Sequence, residues 1–348
     1  VGSKLPMVPL EHPLMFFGPY EELSGTGAEI VYPLFRDQGN SGYFRDTGDP
    51  ATTEGGKIEW GYYETNNPVL VTANDIAEPG ESRMSPSMRE LSLEQVLEPM
   101  EKAMALVPLL GELGYEDRRS FNGLLSVTAD GGSLIGEAPE ISGLWFAEAV
   151  WVKDGPGVGK VVADWMTKGS PEYDPYGIDI ARFYPEQKQD DYVFGRCGEI
   201  AKKVYTPAVH PREPFETGRQ LFKSPFYERE VALGGYFMEA AGWERAHGYA
   251  ANEPTLLVKY RDQIPQRMNE WDSRHFWEVS NAEQLALSDD VGMVNLSHFA
   301  IYDIDGPSAE GLLEYLSVAR VGGATQVGKG VYTHFLDAKG GIRADLTI

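Results

Sequence analysis

The stretch that most constrains this chain runs from Leu144 to Gly169. An apolar run, Leu144-Trp145-Phe146-Ala147-Glu148-Ala149-Val150, predicts a strand, and Asp154-Gly155-Pro156-Gly157-Val158-Gly159 predicts a glycine loop behind it. A helix is expected next, with Val161, Val162, Trp165 and Met166 on one face and Gly169 as its stop. Strand, glycine loop and helix start bring bare backbone N–H groups to one point. That suits the polar edge of a flavin or the phosphates of a nucleotide. The same segment also reads as a tight strand-to-helix turn with no ligand. Two phosphate fingerprints fail on it. Lys160 stands where G-x-G-x-x-G needs its third glycine, and Asp154 and Val161 break the G-x-x-x-x-G-K-[ST] pattern. A complete mononucleotide site is not encoded in these residues.

Around that segment the chain reads as α+β. The runs 28–35, 42–45 and 57–63 are short, aromatic and separated by turn residues, which predicts an antiparallel meander. A helix is expected from Ser92, with Gln95 completing a capping box. Its apolar face is Leu93, Val96, Leu97, Met100 and Met104, and Pro108 marks its end. From 170 to about 232, prolines at 171, 175, 185, 207, 211, 214 and 225 interrupt any long element, so this part reads as a connector. A second unit begins at 233. In it Ala309, Leu312, Leu313 and Leu316 form a helical stripe after Gly306-Pro307, and 331–337 and 342–348 flank the turn Ala338-Lys339-Gly340-Gly341 as a hairpin. Trp243 and Trp271 read as core aromatics.

Charge and cysteine usage exclude several classes. With 53 acidic against 30 basic residues the net charge is −23, which argues against a nucleic-acid partner. No apolar run reaches membrane-spanning length, so no membrane role is expected. The single cysteine, Cys197, rules out an intramolecular disulfide and fits a reducing compartment, the cytoplasm or, in a eukaryote, the mitochondrial matrix. His210, His247, His275, His298 and His334 show no metal-ligand spacing.

Several stretches then carry a resemblance. They include Glu11-His12-Pro13-Leu14, Pro33-Leu34-Phe35-Arg36-Asp37, Tyr43-Phe44-Arg45, Phe121-Asn122-Gly123, Thr128-Ala129-Asp130-Gly131-Gly132 and Ala147–Val152. Further on come Asp179-Ile180-Ala181-Arg182-Phe183, Ser224-Pro225-Phe226, Ala241-Gly242-Trp243-Glu244-Arg245 and Asp337–Asp345. In that order they resemble the dimethylglycine oxidase, dimethylglycine dehydrogenase and sarcosine dehydrogenase family, in which an amine-oxidising FAD domain is fused to a T-protein-like folate domain. The resemblance implies the C-terminal half of a D-amino-acid-oxidase-like FAD domain with an antiparallel substrate-binding sheet over 1–175. A central connector over 176–232 and the N-terminal part of a folate-binding domain over 233–348 follow. On this reading the chain is an internal slice of a longer protein and has no turnover by itself.

The resemblance also implies roles for single residues. His12 and Tyr43 match a histidine and a tyrosine at the substrate amine, and a histidine that titrates near neutrality can relay its proton. Val150, Trp151, Val152 and Lys153, with Gly155, Gly157 and Gly159, fall where the family contacts FAD. Tyr332 and Asp345 match a folate-contacting tyrosine and the aspartate placed for chemistry on the folate amine. The family oxidises an N-methyl group with FAD and passes the one-carbon unit to tetrahydrofolate, giving 5,10-methylenetetrahydrofolate. The substrate is therefore expected to be a small N-methylated amino acid. Departures surround that pocket: Pro13-Leu14 replaces Gln-Tyr, Ala129 and Ser133 replace prolines, and Lys153-Asp154-Gly155 replaces hydroxyl- or histidine-bearing residues. They leave the exact amine open. Asp130 in its Gly-Gly turn reads as an Asx-turn residue, and Lys153 and Asp154 read equally as solvated charges. A folate-binding or methyl-transferring protein with a non-redox first half is the alternative.

Overall fold

The structure, a computed structural model, describes residues 2–51, 55–78, 80–81, 85–204, 213–269, 272–273, 275–322 and 327–348. Pro207, His210, Pro211 and Trp271 lie outside the described residues. Two compact units are present, Val1–Val294 and Asn295–Ile348.

In chain order the first unit opens with β1 (Met7–Phe17), β2 (Phe35–Asp37), β3 (Gly42–Asp46), β4 (Ile58–Tyr62) and β5 (Met88–Arg89). Helices α1 (Leu93–Leu106) and α2 (Leu110–Leu113) follow, then β6 (Phe121–Thr128), β7 (Leu134–Glu137) and β8 (Trp145–Glu148). Next come α3 (Gly155–Lys168), α4 (Asp190–Val204) and α5 (Tyr227–Ala232). The hairpin β9 (Gly235–Ala240) and β10 (Trp243–Tyr249), with α6 (Val258–Tyr260) and α7 (Trp277–Asp289), closes the unit. The second unit holds α8 (Ala309–Leu316) and the hairpin β11 (Tyr332–Leu336) and β12 (Ile342–Thr347). No helix among the described residues is long and apolar enough to cross a membrane.

A six-stranded antiparallel sheet, ordered β2-β3-β4-β1-β6-β5, organises the first unit. Its hub is β1, which pairs with β6 through Met7–Leu14 and with β4 through Leu14–Phe17. Because side chains alternate along a strand, β1 feeds two cores. Met15 and Phe17 join Phe44, Trp60, Val96 and Leu110 on the face covered by α1. Val8 and Leu10 join Val127, Val193, Cys197 and Ile200 under α4 on the other face. Cys197 is wholly buried, donates to the Val127 carbonyl, and burial pushes its thiol up to about 12, so it behaves as a small core residue.

Several expectations change. The segment 28–34 is not a strand: the Val31 and Tyr32 amides donate to the Asp46 carboxylate, both at 2.8 Å, instead of to a neighbouring strand. Helix α1 does start after Ser92, but the Ser92 side chain makes no cap bond. Gln95 turns to Glu11 (3.3 Å) and Asn122 (3.4 Å) instead. A buried carboxylate needs donors more than a helix end that water can reach. Leu93 and Leu97 are exposed, and Val96 and Ala103 carry the packing. The connector holds a 15-residue helix, α4, because no proline falls between Pro185 and Pro207 and Val193, Cys197, Ile200 and Ala201 share one face. A buried ion pair ties it to the following hairpin, Arg196 to Glu239 at 2.7 Å, and Arg219, beyond the helix, reaches Glu244 of the same hairpin at 2.6 Å. Trp243 packs on Phe222 with ring centres 5.4 Å apart.

The opening feature also changes. The expected glycine loop is helix: a 3-10 turn over Val152–Asp154 runs straight into α3, whose first residue is Gly155. Pro156 stands at the helix start, where its missing N–H costs nothing. Gly169 (φ 80°) ends the helix in the left-handed conformation, as expected, whereas Met166 lies exposed.

Candidate functional site

Three clusters contain the residues singled out above. The first is built by strand register. Arg36 pairs with Tyr43, Tyr43 with Gly61, and Gly61 with Leu14, so these four positions form one row on one face of the sheet. His12 lies on that face in mid-strand, opposite Gly123, not at a strand start. A side chain at Gly61 would collide with the Tyr43 ring; its absence lets that ring lie across β4 toward His12. The Tyr43 hydroxyl sits 3.3 Å from His12 Nε2, and His12 Nδ1 sits 3.2 Å from the Pro13 carbonyl oxygen. A carbonyl only accepts, so Nδ1 carries the proton and Nε2 accepts from Tyr43. His12 is 8% exposed, and burial lowers its pKa to about 4, which keeps the ring neutral at pH 7. That differs from a histidine titrating near neutrality. Burial also pushes the Tyr43 hydroxyl up, with smaller contributions from Tyr63 and Glu59. The pair is a neutral imidazole and a neutral phenol.

Two further residues complete this wall. Tyr63 stacks 4.5 Å from the His12 ring and 5.6 Å from Tyr43, and the Arg36 guanidinium lies 4.8 Å over Tyr63. Sequence reasoning gave neither a role. Their signal was the strand alternation that places Tyr63 two residues beyond Gly61, on the face of His12.

The second cluster is the β8–α3 junction, with Val150, Trp151, Val152, Lys153, Gly155, Gly157 and Gly159. Ala149 (φ 52°) turns the chain out of β8, and Ser133 Oγ donates to its carbonyl at 3.0 Å. Val152 is 97% exposed, and Lys153 pairs with Asp154 at 2.7 Å in solvent. A methyl group added at Gly155, Gly157 or Gly159 would meet nothing within 4 Å among the described residues. None of the three has a positive φ. Each therefore weakens the helix, by roughly 1 kcal/mol against alanine, without any gain visible in packing. The helix start carries no side-chain cap, and its first amide, that of Gly155, donates to the Val152 carbonyl.

The third cluster is in the second unit. Register places His334 opposite Asp345 and Tyr332 opposite Thr347, so Tyr332, His334 and Asp345 share a face of the hairpin. The Tyr332 hydroxyl donates to Asp345 Oδ2 at 3.0 Å and lies 3.4 Å from His334 Nε2. With its one proton given to the carboxylate, the hydroxyl accepts from His334, whose Nε2 is the donor. The bond to Asp345, more than burial, raises the Tyr332 pKa.

Elsewhere Asp130 forms its Asx turn through the Gly132 amide (3.0 Å) and also takes a two-pronged bond from Arg182. On the α1 side of the sheet, Glu11 is buried against Arg89 (2.8 Å) and Asn122 (3.0 Å), beside an open cleft of about 550 Å³. No group of three metal-ligating side chains occurs among the described residues.

Comparison with known proteins gives two family matches. Residues 168–224 match the FAD dependent oxidoreductase central domain, and residues 226–348 match the GCVT N-terminal domain. The 4-methylaminobutanoate oxidase (formaldehyde-forming) of Paenarthrobacter nicotinovorans is 30% identical over 351 residues, covering 100% of this chain and 39% of its own length. The mitochondrial sarcosine dehydrogenase of Homo sapiens is 26% identical over 366 residues, covering 100% of this chain and 37% of that enzyme. The mitochondrial pyruvate dehydrogenase phosphatase regulatory subunit of Mus musculus is 28% identical over 226 residues, which is 64% of this chain and 25% of that protein. The chain thus spans less than two fifths of the length of these relatives. The ion pairs Arg196–Glu239 and Arg219–Glu244 each join the two matched regions.

Proposed function

We propose that this chain, which matches an FAD dependent oxidoreductase central domain followed by a GCVT N-terminal domain, belongs to the family that joins an FAD-dependent amine oxidoreductase to a T-protein-like folate domain and supplies the amine-binding wall of an oxidative N-demethylase. The substrate on this reading is a small N-methylated amino acid of the dimethylglycine or sarcosine kind. Tetrahydrofolate takes up the one-carbon unit as 5,10-methylenetetrahydrofolate. Residues 1–175 belong to the oxidising domain, 176–232 to a central connector and 233–348 to the folate domain. The protein works in the cytoplasm or, in a eukaryote, in the mitochondrial matrix.

The observation that carries this reading is the buried neutral His12–Tyr43 pair. FAD, when bound, supplies the acceptor for the hydride equivalent; Val150–Lys153 and the glycines of the first turns of α3 are the residues that would hold it. An amine gives up hydride only with its nitrogen lone pair free. The wall of His12, Tyr43 and Tyr63 carries no charge of its own, and the nearby Arg36 cation disfavours a second cation. Both features keep the bound amine neutral. Tyr43 directs its proton at His12 Nε2 and, with the Pro13 carbonyl on Nδ1, fixes the orientation of the imidazole in the wall. In the hairpin, Asp345 is held by Tyr332 through one oxygen and can accept a proton from a folate nitrogen through its carboxylate.

The test is spectral and chemical. The full-length protein that carries this chain is purified, supplied with FAD, and scanned for flavin bands before and after anaerobic addition of dimethylglycine, sarcosine or 4-methylaminobutanoate. Bleaching by one of them, with methylenetetrahydrofolate formed when folate is present, is the expected result. No flavin bands under any loading condition would sink it. That outcome would favour the second reading, a folate-binding protein with a non-redox first half, for which the likeness to a regulatory subunit speaks.

A further inference from the structure

The β8–α3 junction is held by residues that lie beyond α3 in the chain. The Ile135 amide of β7 donates to the Ile178 carbonyl at 2.9 Å, and Asp179 pairs with Ile135 in parallel. Arg182 then reaches back 52 residues to the turn between β6 and β7. Its Nε donates to Asp130 Oδ2 at 2.7 Å, and one terminal nitrogen donates to Asp130 Oδ1 (2.9 Å) and to the Gly132 carbonyl (3.3 Å). The other terminal nitrogen donates to the Asp179 carbonyl at 2.9 Å. We propose that Arg182 is a positioning residue for the flavin: it fixes the β6–β7 turn, the turn fixes the junction, and the order of the junction sets how tightly FAD is held. This rests on the function proposed above, in which Val150–Lys153 hold the cofactor, and adds a residue that acts on them from a distance.

The path is continuous in hydrogen bonds. The Arg182 side chain is 10% exposed and lies 4.4 Å over the ring of Phe183, a core residue, so the plane of its fork is fixed. Gly132 is tied at both ends: its amide donates to Asp130 Oδ1 at 3.0 Å, and its carbonyl also accepts from the Thr128 hydroxyl at 2.8 Å. The next residue, Ser133, is buried, and its hydroxyl donates to the Ala149 carbonyl at 3.0 Å. Ala149, at φ 52°, holds a left-handed conformation that an L side chain adopts only when its surroundings impose it. Its carbonyl belongs to the peptide that leads into Val150, so the Ser133 bond sets the direction in which Val150–Lys153 leave β8. Helix α3 is seated on the same strand as Ile178: a side chain at Gly136 of β7 would collide with Trp165 of α3. A lysine at 182 cannot replace the fork, because an ammonium is a point charge without a fixed plane.

The test uses the full-length protein that carries this chain, as wild type, Arg182→Gln, Arg182→Lys, Ser133→Ala and the Arg182→Gln/Ser133→Ala double variant. Each is titrated with FAD, passed through gel filtration and scored for the FAD concentration that gives half-loading. Hydrogen exchange of the flavin-free proteins, read by mass spectrometry over 149–155, reports the junction, whose Asp154 and Gly155 amides are bonded in the 3-10 turn. Peptides from α1 are the internal reference. Half-loading should need on the order of 10–100-fold more FAD in Arg182→Gln, Arg182→Lys and Ser133→Ala. Exchange over 149–155 should speed up about tenfold, while exchange in α1 changes less than about twofold. The double variant should lose no more than about twofold beyond the worse single one, since both changes act on one path. Unchanged loading in Arg182→Gln or Ser133→Ala would overturn the proposal, and so would additive losses. Equal acceleration in α1 would overturn it too, because that marks a general loss of stability. If Arg182→Gln does not fold, Ser133→Ala, which removes one hydroxyl, decides. Arg182-dependent loading in a protein whose flavin no amine bleaches would break the proposed function and leave this inference standing. Bleaching by an amine with loading indifferent to Arg182 would do the reverse, and a wild type that takes up no flavin would overturn both.

Discussion

Two of the clusters described above set a histidine nitrogen against a tyrosine hydroxyl, and they run their protons in opposite directions. On the sheet, Tyr43 donates and His12 accepts, because the Pro13 carbonyl claims the other imidazole nitrogen's proton. On the β11–β12 hairpin, Tyr332 gives its proton to Asp345, so His334 must donate to it. The third partner decides the polarity in each case, a carbonyl in one and a carboxylate in the other. Burial decides the rest. His12 is 8% exposed and is held neutral, whereas Tyr332 is 61% exposed and keeps water as an alternative partner. A neutral acceptor suits an amine that must stay unprotonated, and an exposed carboxylate suits proton removal from a large ligand.

The sheet pair depends on one missing side chain, so Gly61→Ala should do the most damage. The added methyl displaces the Tyr43 ring and separates it from His12. Unfolding free energy should drop by about 1–3 kcal/mol, and amine oxidation should fall on the order of 100-fold. Urea titration and steady-state rates check both. A variant that binds and turns over normally would show that the Tyr43–His12 contact is dispensable. The hairpin has no such keystone, since its cluster meets at the surface.

The burial of His12 sets a pH dependence. In the unfolded chain a histidine takes a proton near 6.5, while folded His12 refuses it until about 4. The unfolded state therefore binds more protons between those values, and stability must fall as pH drops through that window. The full contribution is about 3 kcal/mol, present above pH 6.5 and gone below about 4. Denaturant midpoints for wild type and His12→Gln, compared from pH 7 to pH 4, should converge as the pH falls. Parallel curves would mean that His12 is not the titrating group.

The pairs should also separate functionally. Asp345→Asn should leave the rate of amine oxidation within about twofold while cutting folate capture on the order of tenfold, with formaldehyde released instead. Simultaneous measurement of amine loss, formaldehyde and methylenetetrahydrofolate decides it. Equal loss of both activities would mean that the two clusters are not independent.

Much of this architecture is legible before any coordinates. The β11–β12 hairpin, α8 after Gly306-Pro307 and the Gly169 stop of α3 all follow from local signals, and local signals survive folding. What fails is whatever depends on a partner far away in sequence. Gln95 abandons its capping box for Glu11, 84 residues distant. The run 28–34 gives up strand pairing for the Asp46 carboxylate. The expected glycine loop is helical because nothing else packs on it to penalise helix, so its pattern is a clue to a surface and not to a turn. Arg36 and Tyr63 had no role until the register aligned them with His12, and a register cannot be read from one strand alone.

One substitution made twice sharpens the comparison at its smallest scale. Tyr43→Phe removes the donor to a buried imidazole nitrogen that water cannot easily reach, and should destabilise the protein by about 1–3 kcal/mol. Tyr332→Phe removes the donor to an exposed carboxylate and the acceptor of His334, and water replaces both. Its melting temperature should move by less than about 2 °C. The tyrosine whose pKa the Asp345 bond holds above the ordinary value should vanish from an alkaline absorbance titration. A large stability loss in Tyr332→Phe would mean that the hairpin cluster is excluded from water in the folded protein. The opposite polarity of the two pairs would then owe nothing to burial and everything to the third partner.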